Sequence, residues 1–185
     1  RSDDFGYQQI ELPYGLRTGG KDRSETARRI FPEDMTGKTV LDLGCKLGYF
    51  CFEALKRGAG RVLGVDVDPD SIRKARLLSD CLGWKASFEL LDFETEPIEE
   101  EFDYVLCLNL LHHLKNPISA LDKLISVTRE KMILEVASLG KHDRRKLKVS
   151  PIMGSLFNRS PLMFVNKNGT SGSRKEQKFF ITAPA

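Results

Sequence analysis

From Lys38 onward, short apolar runs alternate with helical patterns, and this rhythm limits the possible fold more than any other feature of the chain. Such alternation is typical of βαβ units, in which a parallel sheet is covered by helices on both faces. The predicted strands are 39–44, 61–66, 86–92, 103–109 and 131–137. The sequence therefore predicts an α/β fold, with a Rossmann-like doubly wound sheet.

The helix boundaries carry recognisable end signals. Asp68 precedes Pro69, which places a capping carboxylate directly before a proline that needs no N–H donor at the first helical position. Gly58 follows the pattern of 49–57, and a glycine there can take the left-handed conformation that ends a helix. Helices are also predicted from Asp22 to Pro32 and from Pro117 onward.

Beyond Gly140 the pattern weakens and becomes basic. The residues from Lys141 to the end hold ten Lys and Arg but two Asp and Glu. We expect a basic helix, then strands at 162–165 and 177–183 that form a hairpin, because the segment between them is rich in turn residues. The positive charge predicts contact with an anionic partner, or else a solvated surface.

A length of 185 residues fits one globular domain, which we divide into a lead-in with a lid helix (1–37) and the α/β domain proper (38–185). No apolar run approaches the ~20 residues of a membrane span, and the opening residues lack a secretory signal. The four cysteines contain no CxxC pair, so we expect reduced thiols, no metal site and a cytoplasmic location. The oligomeric state is left open.

Acidic residues fall where predicted strands end. Asp42, Asp66 and Asp92 each close or nearly close a strand, and in parallel α/β sheets ligands bind at that edge. Gly44 and Gly48 in the first turn let a ligand approach the backbone. The turn lacks the GxGxxG pattern of dinucleotide binding, and an acid two residues before the glycine suits a cationic amino group without phosphate. S-adenosylmethionine fits that description better than NAD.

The segments VLDLGCKLG, GVDVDP, LLDF and LNLLHHLKNP resemble, in this order, the successive motifs of class I S-adenosylmethionine-dependent methyltransferases. The resemblance covers about residues 38–137, and implies a seven-stranded sheet of order 3-2-1-4-5-7-6 whose last strand is antiparallel. In that family the first acid and the glycines flank the methionine part, the second acid holds the ribose, and the third holds the adenine. The implied cofactor-binding residues are Asp42, Gly44, Cys45, Lys46, Gly48, Asp66, Val67, Asp92, Phe93, Asn109 and Leu110.

Two further features refine the resemblance. Lys46 stands where the family usually has a second glycine, and a lysine fits that turn if its φ is negative and its charge points to solvent. The lead-in YQQIELPYGLRTGG and the stretch LNLLHHLKNPISALDKL are similar to the group that includes enzymes modifying wobble uridine in transfer RNA. That likeness implies RNA modification, whereas the motifs alone allow either a small molecule or an RNA base as methyl acceptor.

Methyl transfer from a sulfonium is an in-line displacement, so a general base is needed only when the acceptor carries a proton. His112 and His113 are the candidate bases, and Cys107 is expected in the core. Tyr14, Arg17 and Tyr49 are candidates to line the site if the lead-in folds over it. The alternative functions are a scaffold that binds the cofactor without turnover and, from another class, an NAD-dependent oxidoreductase.

Overall fold

The central feature of the computed structural model, which describes residues 4–136, 163–166 and 178–181, is a five-stranded sheet. Its strands are β1 (Thr39–Leu43), β2 (Arg61–Asp66), β3 (Ser87–Leu90), β4 (Phe102–Leu108) and β5 (Thr128–Glu135). Their order in the sheet is β3-β2-β1-β4-β5. The predicted α/β fold with a parallel central sheet is confirmed.

The register of the sheet brings the predicted acids to one edge. β1 pairs in parallel with both β2 and β4, and β2 pairs in parallel with β3. Asp42 lies opposite Gly64, and Asp66 lies opposite Leu90, two residues before Asp92. Because the strands run in the same direction, the carboxyl ends of β1, β2 and β3 share an edge.

Burial follows from helices covering both faces of the sheet. Val40, Leu43 and Val62 are buried, as expected for core residues of parallel strands, whereas Ile133 is half-buried. Cys107 is buried in β4, which confirms its predicted place in the core. All four cysteines are free thiols, and Cys81 is the exposed one.

The helices begin and end close to the predicted signals. They are α1 (Ser24–Ile30), α2 (Tyr49–Lys56), α3 (Pro69–Leu82) and α4 (Pro117–Ser126). The Asp68 side chain caps α3 by accepting a hydrogen bond from the backbone N–H of Asp70 at 3.2 Å, and Gly83 ends it with a φ of 68°. Among the described residues, no helix is long and apolar enough to cross a membrane.

The expected seven-stranded sheet is a point of correction. β6 (Met163–Asn166) and β7 (Lys178–Ile181) form a separate antiparallel pair, so the central sheet of the described chain has five strands and the order 3-2-1-4-5-7-6 is wrong. Alternating apolar residues predict that a strand exists, but they do not predict which other strand it pairs with. Two strands that are close in sequence can pair with each other and not with the central sheet. The expected basic helix after Gly140 lies outside the described residues.

Contacts within the chain divide it into two units, the first of residues 1–107 and 121–133, the second of residues 108–120 and 134–185. The lead-in belongs to the first unit. It turns back on itself through a bridge between Glu11 and Arg17, and the N–H of Gln9 donates to the carbonyl of Lys21 at 3.0 Å. Buried Thr18 ties this loop together, since its hydroxyl accepts from the Ile10 N–H at 2.7 Å.

Candidate functional site: the turn after β1 and the strand-end carboxylates

The turn from Gly44 to Gly48, called here the glycine turn, has three residues in the left-handed region. Gly44 has a φ of 71°, Lys46 of 53° and Gly48 of 83°. Lys46 therefore occupies the turn without the negative φ that the sequence analysis gave as the condition for its fit. Left-handed backbone costs a lysine free energy that a glycine does not pay, so the surrounding contacts must hold Lys46 in this conformation.

Gly48 is required by both conformation and space. A Cβ built on it would lie 2.7 Å from the Phe88 ring of β3 and 3.3 Å from the Phe52 ring of α2. Gly48 is also the residue that precedes α2, and its carbonyl accepts from the Phe52 N–H at 3.0 Å. The absence of a side chain thus lets α2 start directly over the sheet.

Hydrogen bonds to β2 hold the glycine turn in place. The N–H groups of Gly44 and Cys45 both donate to the carbonyl of Val65, at 2.8 and 3.1 Å. Next along β2, the buried Asp66 carboxylate accepts from the backbone N–H of Lys46 at Oδ2, 3.1 Å away, and from that of Asp68 at Oδ1, 3.0 Å away. The Asp66 side chain is therefore fixed at the edge of the sheet, against the turn.

The Lys46 side chain does not point away from this carboxylate. Its Nζ lies 3.5 Å from Oδ1 of Asp66, and the lysine side chain is 38% exposed. The same residue thus contacts both carboxylate oxygens, one through its backbone and the other through its ammonium group.

Asp42 is a buried carboxyl group inside the same region. It is 2% exposed, and the Cys51 thiol donates to its Oδ2 at 3.7 Å. Burial raises the pKa of Asp42 to about 7, the thiol contact opposes this, and the nearby Asp66 charge adds to it. Burial likewise raises the pKa of the Cys45 and Cys51 thiols, which keeps both protonated and unreactive.

Gln8 is a part of this region that the sequence analysis missed. Its side chain is buried, and its Oε1 accepts from the backbone N–H groups of Leu47 at 3.0 Å and Tyr49 at 3.4 Å. Gln8 therefore caps the start of α2 from 39 residues away and attaches the lead-in to the glycine turn. No local sequence signal marks such a contact, because its partners are backbone groups.

The third strand end is arranged differently. Asp92 is exposed, and its Oδ1 accepts from the Glu94 N–H at 3.0 Å, so its carboxylate starts the turn that follows. The Phe93 ring is buried, with the ammonium group of Lys123 5.7 Å from its centroid. Val67 is 64% exposed and presents an apolar surface beside Asp66, the residue expected to bind the ribose.

The candidates after β4 lie in the second unit. Asn109 has a φ of 56°, and its N–H donates to the carbonyl of Glu135 at 2.7 Å. Leu110 is half-buried and precedes a short 3-10 turn, Leu111–His113. Within it, His112 is buried and His113 exposed, and their ring centroids are 4.2 Å apart.

The lead-in candidates differ in exposure. Tyr14 is fully exposed with a φ of 62°, and Arg17 is exposed as well. Tyr49 is buried at the start of α2, and burial raises the pKa of its hydroxyl to about 12. Among the described residues, no group of three or more His, Cys, Asp or Glu side chains is arranged to hold a metal ion.

Together these features define the class of protein. A parallel sheet of order β3-β2-β1-β4-β5, a left-handed turn after its first strand and a carboxylate at the end of the next strand are those of a Rossmann-like nucleotide-binding fold. The family follows from comparison with known proteins. A family model described as "Methyltransferase domain" matches residues 34–160, more than half of the chain, and the chain belongs to that family.

Relatives of known sequence agree with this assignment. A tRNA U34 carboxymethyltransferase of Campylobacter hominis is 36% identical over 94 residues, which are 50% of this chain and 33% of that protein. A ribosomal protein L11 methyltransferase of Escherichia coli is 37% identical over 94 residues, or 51% and 31% of the two chains. The chain thus spans about a third of the length of these relatives. The predicted resemblance to class I methyltransferases is confirmed.

Solved structures support the fold. The N-terminal domain of EvdMO1, crystallised with S-adenosylhomocysteine and D-fucose, matches with a TM-score of 0.60 at 19% identity, covering 94% of this chain and 88% of that one. The ligand of that protein is the product form of S-adenosylmethionine.

Proposed function

We propose that this chain is a methyltransferase domain that binds S-adenosylmethionine at the glycine turn and transfers its methyl group to an RNA base or a small molecule. The observation that carries the proposal is the Asp66 carboxylate. It is buried, held by two backbone N–H groups, and still has acceptor capacity for the two hydroxyls of a ribose. A fixed acceptor of this kind at the end of β2 suits a nucleoside cofactor.

The other residues receive roles from their chemistry. Asp42, Gly44, Cys45, Lys46 and Gly48 surround the methionine part, where the buried carboxyl of Asp42 favours a cationic amino group once ionised. Val67 offers apolar contact beside the ribose. The Asp92 carboxylate accepts a hydrogen bond from the adenine amino group, and Phe93 covers the adenine ring. From the family resemblance, Asn109 and Leu110 are the candidates to offer backbone groups to the methionine part.

The bound cofactor supplies an electrophilic methyl group, and the protein's own work is to align the acceptor with it. His112 and His113 stay the candidate bases for an acceptor that carries a proton. His113 is the exposed one, so it can exchange its proton with solvent. The lead-in and lid helix (1–37) and the remaining residues (38–185) are proposed to work as one domain, with the lead-in closing the cofactor site through Gln8.

Transfer RNA is the first acceptor to test. The lead-in and the residues after β4 are similar to the group that modifies wobble uridine, one relative carries a transfer RNA name, and the sequence after Gly140 is basic. A basic surface favours contact with phosphates. A metabolite acceptor stays the alternative, because acceptor contacts in this fold come from variable loops.

Calorimetry and methyl transfer test the proposal together. The wild-type protein should bind S-adenosylhomocysteine and not NAD, and should transfer tritiated methyl from S-adenosylmethionine to unmodified transfer RNA or to a metabolite extract. Asp66→Asn should weaken binding by about ten- to a hundredfold, because charge-assisted hydrogen bonds to the ribose are lost. Asp80→Asn, an exposed acid on α3, is the matched control.

Three results would be decisive. Binding of NAD in place of S-adenosylhomocysteine would reject S-adenosylmethionine as the cofactor. Cofactor binding without methyl transfer to either acceptor pool would favour the scaffold. Equal affinity of wild-type protein and Asp66→Asn, both folded by circular dichroism, would remove the ribose role of Asp66.

A further inference from the structure

Backbone N–H groups use half of the hydrogen-bonding capacity of Asp66 before any ligand binds. An ionised carboxylate has about four acceptor positions, two on each oxygen. The backbone N–H of Lys46 uses one position on Oδ2, and that of Asp68 uses one on Oδ1. One position on each oxygen is left, which is what two ribose hydroxyls require.

The ammonium group of Lys46 lies close to one of the two oxygens. Its Nζ is 3.5 Å from Oδ1, the oxygen that already accepts from the Asp68 N–H. Oδ1 therefore has a backbone donor and a cation beside it, and a ribose hydroxyl that binds there must displace the ammonium group or share the oxygen with it. Among the described residues, the Lys46 N–H is the donor that contacts Oδ2, which leaves its second position for a ligand.

The left-handed backbone of Lys46 belongs to the same arrangement. With a φ of 53°, this residue donates its N–H to Oδ2 while its side chain reaches Oδ1. The negative charge of Asp68 lies near enough to Lys46 for the lysine to contribute to the lowered pKa of that carboxyl. The ammonium group thus lies near two acids at the edge where the cofactor is proposed to bind.

We propose that Lys46 is an internal competitor of the cofactor, which occupies part of the ribose-binding carboxylate until a nucleoside displaces it. The inference rests on the proposed function and goes beyond it, since it assigns to Lys46 a role that lowers cofactor affinity. The ligand that displaces the ammonium group is a nucleoside with two free ribose hydroxyls. The displaced side chain, already 38% exposed, moves into solvent.

The size of the effect follows from the exposure of the pair. Asp66 is buried while the lysine is partly exposed, so solvent screens the attraction and breaking it reduces affinity by about three- to tenfold. Salt weakens a partly exposed ion pair, because the screening length falls from about 14 Å at 50 mM to about 4 Å at 0.5 M. Because that length still exceeds the 3.5 Å separation of the pair, the competition should weaken at high salt without disappearing.

Lys46→Met is the variant that isolates the charge. Methionine has a similar length and meets the same strain at a positive φ, so the variant removes the ammonium group and keeps the backbone requirement. Lys46→Gln is a second variant of the same design, in case one of them folds poorly. Lys85→Met removes an exposed lysine elsewhere on the chain and is the matched control.

The experiment measures the Kd of S-adenosylhomocysteine by calorimetry, at low and high salt, for the four proteins. S-adenosylhomocysteine has a neutral sulfur, so a change in its affinity does not come from repulsion between lysine and a sulfonium. We expect Lys46→Met and Lys46→Gln to bind about three- to tenfold more tightly than wild type at low salt, with a smaller ratio at high salt. Lys85→Met should match wild type within about twofold.

Unchanged or weaker binding by both Lys46 variants would overturn the inference while leaving the proposed function intact. Tighter binding of S-adenosylmethionine alone would also overturn it, because the effect would then be on the sulfonium charge. Failure of every protein, wild type included, to bind S-adenosylhomocysteine would reject the proposed function, and the inference would fall with it.

Discussion

Replacing Asp42 by Asn should change how the stability of the fold depends on pH. Asp42 is 2% exposed, its described hydrogen-bond partner is the Cys51 thiol, and Asp66 adds a second negative charge nearby. Burial raises the pKa of this carboxyl from 3.8 to about 7. Folding therefore favours the protonated acid, and above neutral pH the folded chain must hold a buried charge.

The magnitude follows from the difference between the two pKa values. A pKa raised in the folded state gives stability that is complete below about pH 4 and is lost as the pH rises through 7. Between pH 5 and pH 8, this one group should lower the free energy of unfolding by roughly 2 to 3 kcal/mol. Asn cannot ionise, so Asp42→Asn should lack this loss.

Urea denaturation at pH 5 and pH 8, followed by circular dichroism, measures the effect. The comparison uses the change between the two pH values, because the buried amide of Asn alters the absolute stability in its own way. Asp122→Asn, an exposed acid on α4, controls for the loss of a carboxylate and should keep the wild-type pH dependence. Parallel pH dependence of wild type and Asp42→Asn would refute the argument, since it would mean that Asp42 does not titrate in this range.

Three further substitutions test the local structure. Gly48→Ala should lower the free energy of unfolding by about 2 to 4 kcal/mol, since its Cβ would lie 2.7 Å from the Phe88 ring at a φ of 83°. A loss below about 1 kcal/mol in urea denaturation would contradict the packing described. Gln8→Ala should lower the free energy of unfolding by about 1 to 3 kcal/mol, because the N–H groups of Leu47 and Tyr49 lose their acceptor. Gln9→Ala should have little effect in the same assay. Asp68→Ala should cost about 1 kcal/mol through loss of the α3 cap, measured by thermal unfolding, and an unchanged Tm would show that the cap is dispensable.

The parts of the fold that the sequence predicted are those with local signals. α3 was expected to begin at Pro69 because Asp68 and Pro69 mark its start, and the structure agrees. The five parallel strands followed from short apolar runs separated by helices, with ends that shift by up to three residues. Such signals depend on neighbouring residues alone, which is why they can be read from a single sequence.

The parts that were missed depend on distant partners. The Gln8 contact joins a side chain to backbone groups 39 and 41 residues away, and nothing near Gln8 announces it. A negative φ was the condition given for Lys46 to fit its turn, but contacts with Asp66 through both its N–H and its ammonium group accompany a left-handed conformation. Tertiary contacts of this kind override local preference.

Because the cysteines differ in exposure, thiol modification can be used to follow the unfolding of the chain. Cys81 lies exposed near the end of α3, while Cys45, Cys51 and Cys107 are buried. A maleimide reagent should modify the folded chain at Cys81 alone, and all four thiols once it opens. A fluorophore attached there would lie at the carboxyl end of α3, the end away from its cap residue Asp68, and would report the opening of the fold without any added residue.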